Sequence, residues 1–203
     1  MENNKEYQKW LEVVEKDGMN LGDVPEELKT VELCEVAVKD FPYALQYVPE
    51  ELHTPELCMV AVQKDGWNLK YVALELRTKE LCELAVKQDG WYLEYVPEKY
   101  KTLDLCREAV SDYGNALEFV PEDLKTPELC ELAIKGVLGQ GGNLQFAPYE
   151  LRTQELCEIA VKIGADVPFF VYEYDSANVT GIGVIVKKFD EEILNIDTIT
   201  PKI

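Results

Sequence analysis

The chain has 203 residues, 47% of them hydrophobic, which is enough apolar surface for one folded domain or a short array. Thirty-nine acidic residues against 20 basic ones give a net charge of −19. That balance disfavours direct contact with nucleic acid or an anionic membrane, because both interactions need clustered Lys and Arg. Met1–Trp10 is polar, and no stretch reaches the ~20 apolar residues of a membrane span, so a cytoplasmic protein without a signal peptide is expected.

Cys34, Cys58, Cys82, Cys106 and Cys130 recur every 24 residues, and Cys157 follows after 27. Around each runs Thr-x-Glu/Asp-Leu-Cys-x-x-Ala-Val/Ile, then a polar turn, then Leu-x-Tyr/Phe-Val/Ala and usually proline. A fixed period of this size means stacked supersecondary units. The expected fold is all-α: an α-solenoid of six to seven helix-turn-helix repeats with a short C-terminal segment holding a β-hairpin. Residues 1–30 read as an N-terminal capping repeat, 31–164 as the tandem repeats and 165–203 as a closing non-repeat segment.

In the opening repeat, Trp10 stands where later repeats carry cysteine, which suggests a terminal cap. Residues 54–78 show the logic of an interior unit. Thr54 is a good N-cap, Pro55 suits the first helical position and Glu56 complements the helix dipole. Leu57, Cys58, Ala61 and Val62 form one apolar stripe. Lys64-Asp65-Gly66 ends the helix, and the glycine is expected to take the left-handed position after it. A second helix of one to two turns follows, with Leu69, Tyr71 and Val72 facing inward. Pro25, Pro49, Pro97, Pro121 and Pro148 close that helix in most repeats and open a further turn, whose leucine (Leu28, Leu52, Leu124) packs back. Ala73 breaks the proline rule, and Gly136–Gly142 carries a three-residue insertion. Phe169–Tyr172 and Gly183–Val186, separated by Asp175–Asn178, predict a hairpin, followed by a short helix near Glu191–Asn195.

This frame resembles a bacterial family of short tandem helical repeats of unknown function, carried here by Asp65-Gly66-Trp67-Asn68-Leu69-Lys70-Tyr71-Val72 and Val48-Pro49-Glu50-Glu51-Leu52. The resemblance covers roughly residues 10 to 164. It implies the architecture and brings no catalytic motif with it. A leucine-rich repeat shares the period, but the Leu-x-Leu strand alternation is missing and Thr-Pro-Glu opens helices.

The cysteines read as small packing residues. Equivalent rungs of neighbouring helices lie ~8–10 Å apart, too far for a disulfide, and one histidine, His53, leaves no zinc ligand set. Tyr47, Tyr71, Tyr95, Phe119 and Phe146 are expected to stack in the core. Glu108 stands where Val36, Val60, Leu84, Leu132 and Ile159 stand elsewhere, and reads as a residue leaning to solvent. Asp-Gly pairs lack the further ligands of a calcium loop, and Gly139–Gly142 lacks the lysine of a phosphate loop.

Positions that differ between repeats are where partner-specific information belongs. The residue after the turn runs Met19, Tyr43, Trp67, Trp91, Asn115 and Gly142. Met19, Tyr43, Trp67 and Trp91 are therefore the candidate partner-binding residues, because Trp, Tyr and Met are enriched at interface cores. The alternative is that these rings only cover the neighbouring unit. No catalytic, cofactor-binding or metal-ligating set is read, and no enzyme is expected. The expected function is a non-catalytic scaffold that binds a partner protein. The second reading is an acidic decoy that mimics nucleic acid and blocks a basic nucleic-acid-binding protein, by analogy with inhibitors of bacterial defence nucleases. Residues 55–78 weigh against continuous mimicry, since Glu56, Asp65 and Glu75 are balanced there by Lys64, Lys70 and Arg77.

Overall fold

Threonine side chains set the start of the α-helices in the computed structural model, which describes residues 2–136, 142–163, 170–176 and 179–185. The hydroxyls of Thr30, Thr54, Thr78, Thr102, Thr126 and Thr153 each accept the backbone N–H three residues on, at 3.1–3.3 Å. The chain divides into two compact units, Met1–Lys101 and Thr102–Ile203. The division falls inside the stretch 31–164 that the sequence reads as one array.

The first unit holds α1 (Glu2–Val14), α2 (Val31–Asp40), α3 (Pro55–Lys64) and α4 (Lys79–Gln88). Each is followed by a six-residue 3₁₀ helix (Gly18–Asp23, Pro42–Tyr47, Gly66–Tyr71, Gly90–Tyr95) and then a three-residue one (Glu26–Leu28, Glu50–Leu52, Leu74–Leu76, Glu98–Tyr100). The second unit repeats the plan with α5 (Leu103–Asp112), α6 (Pro127–Lys135) and α7 (Gln154–Lys162). It ends in antiparallel β1 (Phe170–Ser176) and β2 (Val179–Ile185), paired from Phe170↔Ile185 to Ser176↔Val179. The hairpin expected from the sequence is present. The expected helix near Glu191–Asn195 lies outside the described residues.

Within each unit, elements in substantial contact belong to the same or to adjacent repeats. This is the nearest-neighbour packing of a helical solenoid. The core is a ladder of identical rungs: Leu33, Cys34, Ala37 and Val38 of α2 recur as Leu57, Cys58, Ala61 and Val62 of α3, all buried. Leu45, Leu69, Leu93, Leu117 and Leu144 of the 3₁₀ helices complete it. Burying one such leucine is worth about 1.5–3 kcal/mol, so the ladder outweighs any single polar contact. All six cysteines are buried and none forms a disulfide. Burial pushes the thiols of Cys34, Cys58, Cys82 and Cys130 up to about 11, which keeps them protonated and packed. Trp10 is half-buried in α1.

Two expectations are corrected. The glycines after the α-helices are not left-handed: Asp65 ends α3 at φ −155°, ψ 120°, and its carboxylate accepts the Trp67 N–H at 2.9 Å. What excludes a side chain is the next repeat. A Cβ on Gly18 would lie 2.3 Å from the Ala37 carbonyl oxygen, and one on Gly114 2.4 Å from that of Ala133.

The second correction concerns the aromatic rungs. Tyr47, Tyr71, Tyr95, Phe119 and Phe146 are half-buried rather than core. A 3₁₀ helix has three residues per turn. Its first and fourth positions, Gly66 and Leu69, therefore face the core, while the sixth lies on the flank. Glu108 leans to solvent as expected: it is exposed, and its counterparts Val36, Val60, Leu84, Leu132 and Ile159 are themselves only half-buried.

The glycine seam carries its own hydrogen bond. Gly18 N–H donates to Asp40 at 2.9 Å and Gly66 N–H to Gln88 at 2.8 Å, each acceptor at the end of the next α-helix. Pro42, with no N–H to give, is matched at the acceptor position by Lys64, which cannot accept. Gly18→Ala is expected to cost about 1–3 kcal/mol through overpacking against backbone. Gly22→Ala, whose Cβ would meet only the Tyr47 ring at 3.2 Å, should cost much less. Urea denaturation of both variants checks the contrast.

Candidate functional site

The second, third and fourth repeats gather their aromatic side chains around one carboxylate. Asp65 Oδ2 accepts the Tyr43 hydroxyl, and Oδ1 accepts the backbone N–H of Trp67 at 2.9 Å and the Tyr92 hydroxyl at 3.3 Å. The hydrogen bond to Asp65 raises the pKa of Tyr43 above its ordinary value. Burial first, then the Asp65 charge, pushes Tyr92 up to about 12. Both phenols are thus held as donors.

Three residues per turn explain the rest of the cluster. Trp67 and Lys70 are one turn apart, and the Lys70 ammonium sits 4.4 Å above the Trp67 ring. Tyr92 and Tyr95 are likewise one turn apart in the next repeat. Both meet Trp67 edge-on, with centroids 6.2 and 5.7 Å away. Trp91 hydrogen-bonds Tyr95. Of the four predicted residues, Tyr43, Trp67 and Trp91 are half-buried and linked through this cluster. Met19 is 37% exposed and shares none of the ring contacts described here. The rings therefore cover the neighbouring repeat while keeping an open face.

Sequence reasoning missed Asp65, Tyr92 and Lys70. In the sequence Asp65 reads as part of a helix stop. The signal for Tyr92 was its place in the frame, where Asn20, Asn68 and Asn143 stand and donate to carbonyls of their own α-helix. Gly66 makes room for the exchange, since a Cβ there would lie 2.7 Å from the Tyr92 ring.

A column of cations follows the short 3₁₀ helices: Lys29, Arg77, Lys101, Lys125 and Arg152. Lys29, 5% exposed, donates to Glu26 at 2.6 Å and to the Tyr47 carbonyl of the next repeat at 2.9 Å. Lys101 and Lys125 pair with Glu98 and Glu122 at 2.7 Å. Where Leu74 or Tyr149 replaces that glutamate, the cation is arginine. Arg77 donates to Val72 and Lys70 carbonyls of its own repeat and, at 2.8 Å, to Tyr95 of the next. Arg152 does the same with Ala147 and Gln145. A buried ammonium needs a counter-charge, whereas a guanidinium with five donors is satisfied by carbonyls alone.

His53 interrupts this column. Its Nε2 lies 3.2 Å from the Val48 carbonyl, and its Nδ1 lies 3.2 Å from the Ala73 N–H. A cavity of about 360 Å³ opens beside it, walled by Leu45, Glu50, Lys70, Tyr71 and Leu74 among others. Leu74, at its rim, is 62% exposed. Among the described residues no group of three or more His, Cys, Asp or Glu is placed to hold a metal ion. No helix among them is long and apolar enough to cross a membrane.

A family model described as "Domain of unknown function (DUF4116)" matches residues 10–53, 30–77, 54–101 and 78–125, together more than half of the chain. Each match spans two consecutive repeats. A stretch of 41 residues, 20% of this chain, is 58% identical to a protein of Sulfurimonas denitrificans and 61% identical to one of Sulfurovum sp.. Both carry the name 4-diphosphocytidyl-2-C-methyl-D-erythritol kinase. The chain spans only 15% and 16% of the length of these curated relatives. No solved structure matches.

Lys29→Met should leave the Tyr47 carbonyl unpaired and cost about 1–3 kcal/mol. Lys39→Met removes only the exposed pair with Glu35 and should leave the melting temperature unchanged. Thermal denaturation of the two variants separates the roles.

Proposed function

This chain belongs to the DUF4116 family, and from that premise we propose that it is a non-catalytic scaffold whose first unit binds a partner protein. The observation that carries the reading is the aromatic cluster of Tyr43, Trp67, Tyr92, Tyr95 and Trp91. The Tyr43 and Tyr92 hydroxyls are fixed on Asp65 and the Trp67 ring packs edge-on against Tyr92 and Tyr95, yet these side chains stay half-exposed, so little side-chain entropy remains to be lost on contact. Apart from Tyr43, it lies within residues 55–102, where acidic and basic residues come close to balance. Rigid aromatic anchors in a low-charge patch fit a protein interface core. The kinase name belongs to the relatives and is not carried over, because 41 shared residues amount to less than two repeats. Buried thiols of raised pKa suit a reducing, cytoplasmic address.

The acidic-decoy reading has its own support in the exposed glutamates of the short 3₁₀ helices, such as Glu27, Glu51 and Glu75. Many of the acids, however, have a local role. Glu32, Glu56, Glu80, Asp104 and Glu128 lie in the first turns of α-helices, where negative charge complements the helix dipole.

Affinity capture from native cell extract, followed by binding measurements with the recovered partner, tests both. Trp67→Ala combined with Trp91→Ala should weaken binding at least about tenfold while the chain stays folded by circular dichroism, and salt should change affinity little. Unchanged binding by the double variant contradicts the scaffold reading. Loss of affinity between low and moderate salt, with the tryptophans dispensable, identifies the decoy.

A further inference from the structure

Two departures from the repeat frame meet at one point. Lys or Arg occupies the position of His53 in the other repeats, and proline occupies the position of Ala73 in four of the repeats of this frame and again at Pro148. The Ala73 N–H, which a proline would lack, is the group that donates to His53 Nδ1 at 3.2 Å. The opposite ring nitrogen, Nε2, faces the Val48 carbonyl at 3.2 Å. A carbonyl only accepts and a backbone amide only donates, so both bonds require one state of the ring: neutral, with its proton on Nε2. Lys29 and Arg77, which hold the same position, reach the Tyr47 and Tyr95 carbonyls of the next repeat with permanently charged side chains. At His53 the seam is instead closed by a group that can change charge near neutrality.

We propose that His53 is a proton-operated joint, tying the second repeat to the third while neutral and releasing the Ala73 amide when it takes up a proton. An imidazolium carries a hydrogen on Nδ1, which would point at the hydrogen of the Ala73 N–H, so the two donors separate. The surroundings set the pH at which this happens. Burial is the largest influence and lowers the pKa of His53 from its ordinary 6.5, whereas the hydrogen bond to the Val48 carbonyl and then Glu50 and Glu51 on its own short helix partly oppose this. Lys70, Glu75 and Arg77 of the third repeat face it across the cavity, and Tyr71 completes that wall. With the folded value depressed, the unfolded chain holds more proton below pH 6.5. The contribution of the joint is therefore complete above about pH 6.5 and is lost as the pH falls toward the folded value. Loosening this seam would widen the cavity whose walls the two repeats supply.

The only histidine in the chain makes a clean probe. Proton–nitrogen NMR of the intact protein between about pH 7.5 and pH 4.5 should show the Nε2–H tautomer at high pH. The midpoint should lie below 6.5, and the Ala73 amide should shift with that same midpoint. The other tautomer, a midpoint at or above 6.5, or an Ala73 amide that does not follow the ring would each overturn the proposal. Ala73→Pro removes the donor and should raise the midpoint toward 6.5; an unchanged midpoint counts against the joint. His53→Lys with Ala73→Pro restores the residues of the other repeats. Relative to this variant, the natural chain should lose more melting temperature on going from pH 7.5 to pH 5, and equal losses contradict the inference.

Discussion

The backbone-to-backbone approach at Gly18 and Gly114 is the constraint on which the rest of each unit depends. A 3₁₀ helix can lie against the next α-helix at this distance only because the approaching residue has no Cβ and its neighbour is alanine. The contact is worth little by itself. It brings the Leu, Cys and Val rungs of adjacent repeats into register, and burial of those side chains supplies the stability. The buried cysteines fit the same demand, being small, apolar and protonated. A repeat taken alone would leave half of its ladder in water, so the span of the family matches, two repeats at a time, has a physical counterpart.

Polar groups at the seams vary together from repeat to repeat, and the variation follows valence. Gly with Asp or Gln, but Pro with Lys, matches donors with acceptors along one seam. Along the other, lysine accompanies glutamate and arginine accompanies Leu74 or Tyr149, because the ammonium needs an anion and the guanidinium does not. His53 with Ala73 is a third solution at the same place, and the one whose charge depends on pH. Specialisation in this protein thus consists of exchanging matched pairs while the apolar ladder stays fixed.

Much of the architecture was legible in the sequence, because it rests on local chemistry repeated many times. Threonine caps, the Leu-Cys-Ala-Val stripe and the hairpin each declare themselves within a few residues. The candidate site was legible only in part. Tyr43, Trp67 and Trp91 stood out by their variation, but the grouping around Asp65 depends on three residues per turn rather than 3.6, and no local signal separated those two periods. Gly66 looked like a helix stop because its true reason, the Tyr92 ring, lies 26 residues further on. His53 looked like a lone histidine for the same reason: its partner is an amide made available by a missing proline twenty residues away.

Nearest-neighbour packing predicts that opening is local. Native-state hydrogen exchange of the intact chain, followed across denaturant, should give amide protection graded by repeat within the first unit. The rungs of α2 and α3 should exchange last and those of α1 earlier. A single opening free energy shared by every protected amide of that unit would contradict the account.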